Sequence, residues 1–219
     1  MKLLLSILLS VLTTYHQGVY QTVGEVEFSC SPAEANAVLD SIMSDFEHNP
    51  HHVWAWMFYG TGEQKDERKQ GFVIHYDSVH YDAPSEILYV DLTLLSPRGK
   101  ASNLHAEPTL SDSRRENGIA PEEHSGVGYE SERNLYFGVQ NFRNMIKYCD
   151  ATLTLTPSDN GTQRLQVVTH CKFGWFFNLF ISRKMYRNTV EWRVEQFLEN
   201  LRCKAEGKPL RQINVVLEK

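Results

Sequence analysis

Residues 174–207 read GWFFNLFISRKMYRNTVEWRVEQFLENLRCKAEG, and the rest of the chain is organised around them. The stretch has no proline, and its only glycines stand at its two ends. Tyr186, Val190, Val194, Phe197, Leu198 and Leu201 follow one another at steps of four, four, three, one and three, the stripe of a helix with one buried face. Arg187, Glu191, Arg193, Glu195 and Glu199 fall between them and belong on a wet face. Lys204 in the last turn and Gly207 after it form a stop signal. The start lies between Phe176 and Arg183. The run 175–181 is apolar nearly all round, which predicts cover on more than one side. Trp192 sits off the Val190–Val194–Leu201 centre line and marks an edge of the buried face. A helix of about 20 to 25 residues is long for a globular domain and needs a broad apolar surface to lie on.

The chain is long enough to provide that surface. Its 219 residues fit one domain, 19–207, between an N-terminal targeting segment, 1–18, and a short tail, 208–219. Hydrophobic residues make up 42% and charged residues 22%, ordinary values for a chain with a packed core. A net charge of −5 gives no basic footprint, which argues against a nucleic-acid partner. Residues 1–18 combine Lys2 with the apolar run 3–12, the pattern of a secretory leader, and the expectation is export to the periplasm or the outside. The run is too short for a stable membrane span. Cys30, Cys149, Cys171 and Cys203 are widely spaced, and no C-x-x-C zinc or redox motif is present.

Residues 19–29 are rich in β-branched and aromatic side chains and predict a strand. Ser31, Pro32 and Glu34 then form an N-cap, a first-turn proline and a capping-box acid, opening a helix over 32–46. The segment 47–62 carries His48, His51 and His52, but Pro50 interrupts any helical pairing of them, so it reads as a polar turn and not as a metal site. Trp54 and Trp56 would share one strand face there, as a pocket wall or as core aromatics. Residues 71–81 and 86–96 predict an antiparallel hairpin, with Leu88, Val90, Leu92 and Leu94 on one face. The polar stretch 97–133 reads as a long surface loop with one short strand near 101–106, and as a lid if it covers a cavity mouth. Strands over 134–140 and 142–156 follow.

The last hairpin can be read in register. Asp159-Asn160-Gly161 suits a three-residue loop with glycine in the left-handed position. That loop sets Leu155 against Leu165, Leu153 against Val167, Ala151 against Thr169 and Cys149 against Cys171. In an oxidising compartment the two cysteines are a candidate disulfide; otherwise they pack as thiols. Arg143, Met145 and Lys147 continue the Cys149 face, where unpaired charge is costly, so either the strand bends out by a bulge or these residues line a polar-tipped cavity.

No phosphate-binding glycine loop, G-x-S-x-G elbow or H-E-x-x-H is present, and no metal or cofactor is expected. Catalytic residues are not identifiable by motif. His75, Tyr76, Asp77, Asp91 and His170 are the groups an acid–base mechanism would draw on.

The order of strand, helix, antiparallel strands and one long final helix resembles the START/SRPBCC superfamily, the helix-grip proteins that include polyketide cyclases and birch-pollen-allergen-like proteins. EVEFSCSPAEANAVLDSIMSDFE at 25–47 and QVVTHCKFGWFFNLFISRKMYRNTVEWRVEQFLENLRCKAEG at 166–207 carry the resemblance, which spans most of 20–207. It implies an α+β fold in which a curved antiparallel sheet grips the C-terminal helix around an apolar cavity. It implies binding of a hydrophobic or amphipathic, lipid-like small molecule there. The residues assigned to the lining are Trp54, Trp56, Tyr76, Arg143, Met145 and Trp192. Alternatives are a cyclase- or hydrolase-type enzyme using the same cavity, and a filled-core domain acting through its surface. The leader and the long 97–133 stretch depart from the best-known members, and no catalytic residue of the family maps onto this chain.

Overall fold

The computed structural model describes residues 9–48, 73–85, 87–95, 99–116, 132–140, 146–158 and 161–209. The described strands are β1 (Ser10–His16), β2 (Val19–Phe28), β3 (Val73–Asp82), β4 (Ile87–Leu95), β5 (Ala101–Asp112), β6 (Arg133–Gln140), β7 (Ile146–Pro157) and β8 (Gln163–Phe173). The described helices are α1 (Pro32–His48), α2 (Ser113–Glu116), α3 (Trp175–Asn178) and α4 (Arg183–Ala205). The strands form one antiparallel sheet in the order β1-β2-β8-β7-β6-β5-β4-β3, and α4 lies against β1, β2 and α1. This is the helix-grip α+β arrangement, a curved sheet around a long C-terminal helix.

Local chemistry sets the ends of both long helices. At α1 the Ser31 N–H donates to Glu34 Oε2 at 2.8 Å and the Glu34 N–H donates to Ser31 Oγ at 3.3 Å, a reciprocal capping box. At α4 the Ser182 side chain accepts from the Met185 N–H at 3.1 Å. Gly207, with φ at +63°, turns the chain away after the last turn. The stripe read from the sequence is the buried face: Tyr186, Val194, Phe197, Leu198 and Leu201 are buried and Val190 is partly so. Arg193 departs from its wet-face expectation. It is buried, with its Nη1 donating to the Thr189 carbonyl at 2.7 Å and its guanidinium 5.8 Å from the Trp192 ring centroid.

The main core lies where α1 and α4 cover β2, β8, β7 and β6. Val26, Phe28, Leu39, Leu135, Leu165, Leu198 and Leu201 are fully enclosed there. At Gly24 the helix rides so close that an added Cβ would stand 2.7 Å from both Leu198 Cδ1 and Val194 Cγ1. The β7–β8 register is the one read from the Gly161 turn, including Leu155↔Leu165, Leu153↔Val167 and Cys149↔Cys171, and Gly161 has φ +73°. The register slips between Ile146 and Tyr148, so the β7 strand bulges at Lys147, whose side chain is exposed. The 73–95 hairpin is also antiparallel as expected.

Two further expectations are corrected. First, the stretch read as loop beyond 106 is the second half of a twelve-residue strand: residues 101–106 of β5 pair with β4 and 107–112 pair with β6. Pro108 hid it, yet it stands past the last β4 pair, where no N–H is asked of it on that side. Second, the 175–181 run is not enclosed. α3 is a separate short turn, and Trp175, Phe176, Leu179 and Phe180 are exposed. Residues 10–16, inside the stretch read as a leader, form the edge strand β1, paired with β2 from Ser10↔Glu25 to His16↔Val19.

Candidate functional site

The gripped face of the sheet is a set of transverse rows. One row runs Val11, Gly24, Val167, Leu153, Leu135, Asp112; the next runs Thr13, Thr22, Thr169, Ala151, Phe137, Leu110; a third runs Tyr15, Tyr20, Cys171, Cys149, Val139, Pro108. The first row lies under α4 and α1 and is closed at its far end by ions. Asp112 and Arg133 are both buried, with Arg133 Nη2 donating to Asp112 Oδ2 at 2.5 Å and to Asp40 Oδ1 at 2.7 Å. Arg133 Nη1 adds bonds to the Asn36 carbonyl and side chain at 3.2 and 3.3 Å. These partners meet the cost of enclosing a guanidinium.

The third row is different in kind. Tyr20 and Tyr186 stack with ring centroids 4.0 Å apart, and the Tyr20 hydroxyl donates to the Ile181 carbonyl at 3.2 Å. Burial pushes the Tyr186 phenol well above its ordinary range, so it stays neutral. Cys149 and Cys171 are free thiols facing each other. Their mutual hydrogen bond, then burial, raises the Cys171 pKa well above that of an ordinary thiol. A hydroxyl layer separates this row from the first: Thr13 and Thr22 share a hydrogen bond at 2.9 Å, and Thr22 and Thr169 hydrogen-bond the Tyr186 phenol.

Toward β6, β5, β4 and β3 the face is apolar, with buried and partly buried side chains side by side. Phe46 at the end of α1 meets Tyr81 and Phe137 edge-on, with centroids 6.1 Å away in both cases. Around them Leu88, Val90, Leu104 and Ala106 form the floor, while Val79, Leu110, Phe137, Val139, Ile146 and Phe177 are only partly buried. Ile146 and Phe177 also touch the Tyr20–Tyr186 cluster, so one apolar wall is continuous from β3 to α4. This wall is mostly apolar, with the Tyr20–Tyr186 pair and the two thiols at one end.

The sequence-assigned lining residues fall unevenly. Trp54, Trp56, Arg143 and Met145 lie outside the described residues. Tyr76 is on β3 opposite Leu92, just before a bulge. Trp192 is half-buried on α4 beside Arg193 and is not part of the apolar clusters among the described residues. The acid–base candidates with described side chains point to the other face. His170 Nδ1 is 2.9 Å from Asp150, and Ser78 and His105 both bond to Asp91, at 2.7 and 2.8 Å. Ser78 therefore bonds to the carboxylate and not to the imidazole, so this group is not a nucleophile–base relay. Asp77 accepts from Thr93 Oγ1 at 2.7 Å on the same exposed side. Val139, Ile146 and Phe177 were not singled out from the sequence, and Phe46 was read only as the last residue of the first helix's apolar stripe. The period-two run Leu135, Phe137, Val139 was the available signal for β6; Phe177 was hidden inside an all-apolar stretch.

No protein-family model matches the chain, and neither does any curated protein. Among solved structures, the chain is similar to a START superfamily protein from Mycobacterium smegmatis, at 11% identity and TM-score 0.39 over 85% of this chain and 97% of that one. It is also similar to the human StarD13 (DLC2) lipid transfer and protein localization domain, at 12% identity and TM-score 0.41 over 89% and 88%. A third likeness is to the di-domain ARO/CYC protein BexL from the BE-7585A biosynthetic pathway, at 9% identity and TM-score 0.43 over 89% of this chain and 52% of that one. What fixes the helix-grip class is the strand order and the seating of α4 across β1 and β2.

Proposed function

We propose that this protein binds a hydrophobic or amphipathic small molecule, lipid-like in character, against the apolar wall formed by Tyr81, Leu110, Phe137, Val139, Ile146 and Phe177. The observation that carries the reading is a contrast within one sheet face. Under α1 and α4 most apolar side chains of the core are buried, whereas in the second cluster five are buried and seven, Val79, Tyr81, Leu110, Phe137, Val139, Ile146 and Phe177, are only partly so. Large apolar surface left open to water is unfavourable by about 25 cal/mol per Å² unless something covers it.

Titration with 1-anilinonaphthalene-8-sulfonate, an apolar fluorescent anion, tests the reading. The wild type is expected to bind it saturably. Val139→Trp fills the wall and is expected to weaken binding about ten-fold, the scale set by losing one well-packed apolar group. Phe177→Ala, which opens the wall, is expected to alter affinity without unfolding. Saturable binding untouched by both substitutions would place the probe elsewhere and overturn the assignment.

A further inference from the structure

Trp175, Phe176, Leu179 and Phe180 are 76%, 51%, 73% and 64% exposed, four large apolar side chains within six residues. They form a contiguous patch: Phe176 lies 5.8 Å from Trp175 and 5.1 Å from Phe180, ring centre to ring centre. The segment is not frayed. Asn178 Nδ2 donates to the Tyr15 hydroxyl at 3.0 Å, the Ile181 N–H donates to the Phe177 carbonyl at 3.1 Å, and the Tyr20 hydroxyl donates to the Ile181 carbonyl. Phe177 points in to the apolar wall while its neighbours point out. The fold therefore holds these rings in water, and exposed clusters of this kind mark interaction sites.

Beside the patch, between β1 and the first turns of α4, runs a groove of about 690 Å³. Arg183, Lys184 and Arg187 line it with Tyr15 and Tyr20, against one carboxylate, Glu191, which pairs with Arg187 at 3.1 Å. The Arg183 guanidinium stands 4.8 Å over the Tyr15 ring. Locally basic character is unexpected on a chain with net charge −5. Aromatic and leucine side chains flanked by Lys and Arg fit the boundary region of a bilayer, where rings sit at headgroup level and cations meet anionic phosphates. A second copy of the chain fits poorly, because a two-fold contact through this patch sets the same three cations against themselves.

We propose that α3 and the first turns of α4 form a docking surface for an anionic lipid bilayer, with Trp175, Leu179 and Phe180 entering the interface and Arg183, Lys184 and Arg187 meeting lipid phosphates. Docking is peripheral: among the described residues no helix is long and apolar enough to cross a membrane. The proposal stands on the exposed patch and its basic border, independently of what occupies the apolar wall.

The test is co-sedimentation of the full chain with vesicles of phosphatidylcholine alone and with about 30% phosphatidylserine, at about 0.1 and about 0.5 M salt. Expected is binding at least about ten-fold tighter to the anionic vesicles, weakened by salt. Leu179→Ser with Phe180→Ser is expected to abolish it, and Arg183→Glu with Lys184→Glu to remove the preference for phosphatidylserine. All four positions are exposed, so circular dichroism should show an unchanged fold. No binding to anionic vesicles at low salt, or binding indifferent to both double substitutions, overturns the proposal. So does a self-association lost in the Leu179/Phe180 variant without any vesicle binding, which assigns the patch to a second copy. Retained probe binding at the apolar wall in these variants separates failure here from failure of the ligand reading.

Discussion

Arg133 is the most demanding single side chain among the described residues, 2% exposed and held by Asp112, Asp40 and Asn36. Removing Asp112, itself 3% exposed, leaves a buried charge without its closest counter-ion. Asp112→Ala should cost about 3–5 kcal/mol, read from urea unfolding; a loss below about 1 kcal/mol would show that the guanidinium finds water instead. Glu34 gives a pH-dependent effect at the same scale. The Ser31 backbone N–H, then its hydroxyl, hold this carboxyl below its usual 4.5. A depressed acid contributes stability above its unfolded pKa and loses it as pH falls through the folded value. The difference in melting temperature between wild type and Glu34→Gln should be constant above pH 4.5 and close below it; a gap that persists in acid contradicts the capping role. Glu34 was legible in the sequence because its partner is three residues away. Arg133 was not: it read as the end of a loop, since its partner Asp112 lies twenty-one residues earlier on a strand masked by Pro108.

At the scale of elements, local and periodic signals carried the most. The α4 stripe, its glycine stop and the β7–β8 register were readable because each is set by spacing within one element or one turn. Contacts between elements were not readable, and Gly24 is the clearest case. It reads as one more residue of a strand, yet it is where α4 touches β2. Gly24→Val should push Leu198 and Val194 away and cost about 1–3 kcal/mol by overpacking. Gly24→Ala placed on Leu198→Ala should cost less than the sum of the two single changes, because both act on the same space. Additive losses would mean that the helix does not rest there. The run 175–181 shows the reverse error. Hydropathy alone implied burial, and only the tertiary path of the chain, pinned through Tyr15 and Tyr20, turns those rings outward.

For the whole molecule, the two ends of the sheet behave differently. One edge is β1, which fastens α4 through the Thr13 N–H to Glu191 Oε1 at 2.9 Å and fastens α3 through Tyr15. A secretory leader ending at residue 18 would remove this strand. A chain beginning at Val19 is therefore expected to melt at a lower temperature and to self-associate through the bared β2 edge. Equal stability of the shortened chain, together with an N-terminus at residue 19 in the exported protein, would show that β1 is not part of the mature fold. The other half of the sheet carries the central claim, that its partly covered apolar wall holds a small amphipathic molecule. That the sheet could grip a helix was readable from the alternation of its strands. Which of its apolar side chains stay only partly buried was not, because that depends on how far rings from other elements, Phe46 and Phe177, reach over them. The most direct measurement is native mass spectrometry of the full-length protein from the cells that make it, followed by solvent extraction of whatever it carries. The account predicts an added mass of lipid-like size, extractable into organic solvent and lost in Val139→Trp. A bare polypeptide mass that stays bare after incubation with fatty acids and lysophospholipids would contradict it.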